Sequence, residues 1–122
     1  MKLKEYIGKK EDIRKKAILS FAYNVGSFHL NSAAIKLTNA NEGDYIKFFQ
    51  DEENGAWYFT VSEIKSDYSI QLKNYSGKDL VFNKKELVKD LVKTINIPEG
   101  VNKLYVTGPT MINFIEYFKL SL

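Results

Sequence analysis

Lysine is the side chain with which this sequence could do most of its chemistry, and its lysines are unevenly placed. Residues 1–16 hold Lys2, Lys4, Lys9, Lys10, Arg14, Lys15 and Lys16 against Glu5, Glu11 and Asp12, a net charge of +4. Residues 17–122 hold eleven lysines, no arginine and twelve acids, a net charge of −1. A basic arm on a nearly neutral body suits a polyanion, because each phosphate it neutralises releases condensed counterions without any reading of sequence. Lys9, Lys10, Arg14, Lys15 and Lys16 are therefore candidate contacts to a polyanion such as a nucleic-acid backbone. Lys78, in a predicted turn, and Lys84 and Lys85, at a predicted helix start, are further candidates in the body. The competing reading of such an arm is a solvated chain end that keeps a small protein soluble.

Other chemistries are thinly provided. His29 is the only histidine and sits between Phe28 and Leu30 with its side chain opposed to theirs; no ordering of serine, histidine and aspartate marks a nucleophile or an orienting carboxylate for it. Asp51-Glu52-Glu53 offers oxygen ligands but lacks the alternating spacing of a calcium loop, and reads as a solvated hairpin tip. The chain has no cysteine, which removes thiolate nucleophiles, disulfides and cysteine metal sites. Neither GxGxxG nor GxxxxGK[ST] occurs, so no phosphate-cradling loop is visible. Trp57-Tyr58-Phe59 offers base-stacking surfaces, but in a hairpin that carries acids these rings read as core or interface packing. The expectation is a non-enzymatic binding protein with no catalytic residues, no metal, no cofactor and no small-molecule substrate.

The elements that must carry the lysines follow from the apolar pattern. The 122 residues amount to about one domain, and eight Phe, eight Tyr and one Trp exclude a disordered chain. No stretch approaches the ~18 consecutive apolar residues of a membrane span, and Met1-Lys2-Leu3-Lys4-Glu5 lacks the apolar core of a secretory signal. A cytoplasmic chain without a membrane partner is expected. Ala17–Tyr23 predicts a strand, Asn24-Val25-Gly26 a turn and Ser27–Leu30 a second strand. Asn31 is placed to cap a short helix over Ser32–Thr38. After a turn at Asn41–Asp44, strands are predicted over Tyr45–Gln50 and Ala56–Ile64, joined by Asp51–Gly55.

The same order returns downstream. Ser69–Tyr75 predicts a strand, Ser76-Gly77-Lys78 a turn and Asp79–Phe82 a strand, with Asn83 standing where Asn31 stood. Lys84–Ile95 predicts a helix from the four-residue spacing of Leu87, Leu91 and Ile95. Val101–Val106 and Met111–Leu120 predict strands on either side of a turn at Thr107–Thr110. Phe28-x-Leu30-Asn31 answers Leu80-x-Phe82-Asn83, and Glu42-Gly43 answers Glu99-Gly100. Two β-β-α-β-β repeats, about 17–65 and 69–122, behind an arm over 1–16 are thus expected. Each is too small for a core of its own. Period-two alternation puts Phe48, Trp57 and Phe59 on one side and Tyr45, Phe49 and Tyr58 on the other, so the repeats must shelter one another. The predicted fold class is mainly β with short helices, a pseudo-twofold β-barrel, with a homo-oligomer formed through apolar outer faces.

Ala17–Val61, with its turn glycine Gly26, apolar strand Phe28–Leu30, short helix, Gly43-Asp44 turn and final hairpin, resembles the swapped-hairpin module of AbrB-type transcription regulators. Two such units in one chain resemble the MraZ proteins of that family. The resemblance implies DNA binding by dimers or larger rings, with arginines around the first hairpin and the helix. The chain departs from this pattern: Ser27 stands where the family commonly has an arginine, Asn31-Ser32-Ala33-Ala34 has no basic residue, and the basic candidates of the second unit are Lys78, Lys84 and Lys85. The string FFQDEENGAWYF is also similar to small bacterial and phage proteins of no assigned function. That likeness carries the alternative: a protein-interaction or assembly module, phage-derived, without nucleic-acid binding.

Overall fold

Burial alternates along the short strands as a half-covered sheet requires: Phe28 and Leu30 are buried while Ser27 and His29 between them are partly exposed. The computed structural model of the chain describes residues 2–3, 16–75 and 77–122. In chain order the elements are β1 (Ile18–Phe21), β2 (Ser27–Leu30), α1 (Ser32–Thr38), β3 (Tyr45–Gln50), β4 (Trp57–Ser62), β5 (Ile70–Gln71) and β6 (Lys73–Tyr75). They continue with β7 (Asp79–Asn83), α2 (Lys85–Ile95), β8 (Lys103–Ile112) and β9 (Ile115–Ser121).

All nine strands belong to one antiparallel sheet in the order β5-β3-β4-β9-β8-β1-β2-β7-β6. Its two ends, β5 and β6, are separated along the chain by Leu72 alone, so the sheet bends round into a nearly closed barrel. Leu72 is fully buried, and its backbone bonds Gly43 and Asp44, extending the β3–β5 ladder. Near-closure leaves few unpaired edges.

The interior draws on the whole chain. Phe28 and Phe82, opposite each other on β2 and β7, stack with ring centroids 4.8 Å apart. Phe48 bridges this pair to Phe59, and Phe59 meets Phe118. Leu19, Leu30, Ile46 and Leu104 are other fully buried strand residues of this core, while α2 adds Leu87, Val88 and Leu91. Trp57 on β4 donates its indole N–H to the Thr94 hydroxyl on α2 at 2.7 Å, tying a strand of the first half to the helix of the second. Tyr45, Phe49 and Tyr58 lie half-buried on the outer side, as the alternation predicts.

Three expectations are corrected. Ser69–Tyr75 is not one strand: it changes partner at Leu72, from β3 to β7, because closing the barrel asks one segment to serve both ends. Asn83 does not cap α2. It is the last residue of β7, held opposite Ser27, and the cap position passes to Lys84, which makes no side-chain cap bond. Thr107–Thr110 is not the turn. There the Gly-Pro pair produces a bulge inside β8, and the chain reverses at Asn113-Phe114, so Met111 and Ile112 belong to β8 rather than to the last strand.

Candidate nucleic-acid interface

The N-cap of α1 sets the position of Lys16. Asn31 accepts from the Ala34 N–H at 2.9 Å and the Ile18 N–H at 3.0 Å, and donates through Nδ2 to the Lys16 carbonyl at 2.7 Å. One side chain thereby fixes the helix start and the chain just before β1. The Lys16 ammonium lies 5.1 Å from the Tyr105 ring centroid on β8. Lys9, Lys10, Arg14 and Lys15 lie outside the described residues.

Lys78 is exposed in the turn before β7, at the end of the barrel where Leu30 pairs with Leu80. Lys84 and Lys85 follow the other end of β7, ~20 Å away at about 3.3 Å per strand residue. The structure therefore puts Lys16 and Lys78 at one end of the β2–β7 pair and Lys84 and Lys85 at the other.

The second end is the more densely built. The Lys84 N–H donates to the Gly26 carbonyl at 2.9 Å, and a Cβ added to Gly26 would lie 2.4 Å from Lys85 Cα. The β1–β2 turn thus sits directly against the start of α2, which only a glycine with φ of +70° permits. From Lys85 the helix presents Lys89 and Lys93 at four-residue spacing, all exposed along one flank. Glu86 and Asp90 occupy the next flank round, exposed as well. Among the described residues no ion pair ties Lys84, Lys85, Lys89 or Lys93. Lys89 and Lys93 escape a reading that stops at the helix start, although their spacing is visible in the sequence.

His29 has neighbours that linear order hides. Asp79 on β7 places Oδ2 3.9 Å from Nδ1, Tyr75 meets the ring edge-on at 5.4 Å, and Ser20 stands opposite on β1. Among the described residues no hydrogen bond joins Ser20 to His29, so the row does not make the nucleophile–base contact of acyl transfer. Among the described residues no cluster of three or more His, Asp or Glu is placed to hold a metal ion, and no helix is long and apolar enough to cross a membrane. Comparison with known proteins returned no matching family model, no matching curated protein and no matching solved structure.

Proposed function

We propose that the chain is a non-enzymatic DNA-binding protein built from two AbrB/MraZ-like β-β-α-β-β units, gripping the sugar–phosphate backbone with lysines. The observation that carries this is the exposed row Lys85, Lys89 and Lys93 beside Lys84, set against the turn that carries Gly26. Lys16, Lys78 and the arm lysines add a second set of contacts. Ammonium groups are point charges without the forked geometry that reads guanine, so binding depends on salt more than on sequence.

The pairing plan supports the two-unit reading. β1–β2 answers β6–β7, β3–β4 answers β8–β9, and β1–β8 answers β5–β3. The remaining pairs, β2–β7 and β4–β9, join equivalent strands, as a twofold axis requires. About the His29–Val81 pair, Phe28 faces Phe82 and Leu30 faces Leu80.

Titration of duplex DNA at two salt concentrations tests the reading. The slope of log affinity against log salt should approach −0.9 per phosphate contact, and converting Lys85, Lys89 and Lys93 together to Gln should flatten it by about 2–3 units. Salt-insensitive binding, or none at low salt, refutes it.

A second reading, an assembly module without nucleic-acid binding, is favoured by one feature: the apolar tip of the β8–β9 hairpin is exposed. Deleting residues 1–16 separates the two. Lost DNA retention supports the first, and assembly by a chain that retains no DNA with or without the arm supports the second.

A further inference from the structure

The β8–β9 hairpin outruns the barrel. β8 pairs with β1 only at Lys103–Tyr105 and β9 with β4 only at Phe118–Leu120, yet the two strands continue together to Ile112 and Ile115. Beyond the bulge, Met111, Ile112, Phe114 and Ile115 are 57%, 51%, 99% and 48% exposed, the densest run of exposed apolar residues among those described. The reversal is made by Asn113 and Phe114 at φ of 50° and 66°. This is left-handed backbone at both central positions, where Asn-Gly is the favoured pair. A phenylalanine there opposes both hydration and backbone preference, and such strain persists where the side chain has a use.

We infer that this hairpin is the self-association element of the protein and that its occupant is a second copy of the chain, joined across a twofold axis. A twofold interface must be self-complementary, and this surface carries both a projection and hollows. Phe114 projects fully, and it also lines a cleft of about 450 Å³ between β9 and the outer face of β3–β4. A neighbouring hollow of about 240 Å³ is lined by Phe49, Tyr58, Ile112 and Tyr117, with the Phe49 and Tyr117 rings 5.4 Å apart between the two. The charges agree with the same occupant. Lys47 and Lys119 balance Asp51 and Glu116 around the apolar centre, so a related copy can set cation against anion, whereas a polyanion gains no net attraction there. The inference is independent of the DNA-binding proposal, whose lysines lie at the start and along the flank of α2, in the turn before β7 and in the arm.

Sedimentation of the full chain from micromolar to hundreds of micromolar tests it, beside Phe114→Gly and Ile112→Lys. The wild type should form a reversible dimer, and each variant should weaken it by at least about tenfold, the loss of one anchoring contact. Phe114→Gly should also raise the melting temperature by about 4 °C, because glycine relieves the left-handed position; this separates lost association from lost folding. A wild type that stays monomeric overturns the inference. So does a dimer that survives Phe114→Gly, or a monomer whose tyrosine fluorescence is quenched saturably by a single-stranded oligonucleotide, which would make this face a base-stacking surface instead.

Discussion

On the two-unit reading proposed above, residues 17–65 correspond to residues 69–122, but the two segments close their seams differently. In the first half the helix begins on a side chain: Asn31 caps α1 and reaches back to Ile18 and Lys16. In the second half it begins on backbone: Lys84 supplies no side-chain cap, and its N–H is taken up by the Gly26 carbonyl from the other half. The two turn glycines differ in the same sense. Gly26 is pressed against Lys85, whereas Gly77, at nearly the same φ, has nothing within 4 Å of where its Cβ would be. One β-hairpin turn is thus a structural joint and the other an open surface that carries Lys78. Equivalent pairing does not make equivalent surfaces, and the closed joint is also where the basic flank of α2 begins.

The sharpest way to break this comparison is at its centre, where the halves should be alike. Phe28→Ala and Phe82→Ala each empty one side of the stacked pair and should cost about 3–5 kcal/mol by urea denaturation. A cost for one several-fold below the other would show that the two halves do not share the core equally. The turns should differ instead. Gly26→Ala combines left-handed strain with a clash against backbone and should cost roughly 3 kcal/mol, while Gly77→Ala meets strain alone and should cost about 1 kcal/mol. Equal losses would remove the distinction between joint and open surface. Last come the caps: Asn31→Ala should cost about 2 kcal/mol, while Lys84→Ala should leave the melting temperature unchanged. A drop at Lys84 as large as that at Asn31 would mean that the lysine stem does capping work by packing.

Much of the architecture was legible in the residues, because short-range rules decide it. Asn31 capping Ser32–Thr38, the Tyr45–Gln50 strand and the Asp51–Gly55 hairpin follow from side-chain oxygens, alternation and turn preferences that act within a few residues. The misreadings fall where a long-range partner overrides a local signal. Gly108-Pro109 has the composition of a turn, but the β9 ladder holds β8 extended on both sides and a bulge absorbs the irregularity. Asn83 has the composition of a cap, but Ser27 across the sheet retains it as strand. Of the candidate lysines, Lys78 and Lys84 flank a strand visible in the linear order, which could not say that Lys16 would lie at the Lys78 end of it.

The chain itself dictated that strands such as Tyr45–Gln50 carry rings on both faces and need cover twice, and that positive charge concentrate in the arm. These follow from composition and period, which are properties of neighbours. Only the folded chain decided that Leu72 would join the two ends of the sheet, that the turn at Gly26 would seat the lysine-bearing helix, and that Phe114 would be held outward. Each of these depends on segments far apart in sequence meeting at van der Waals distance or failing to meet, and no local preference encodes that.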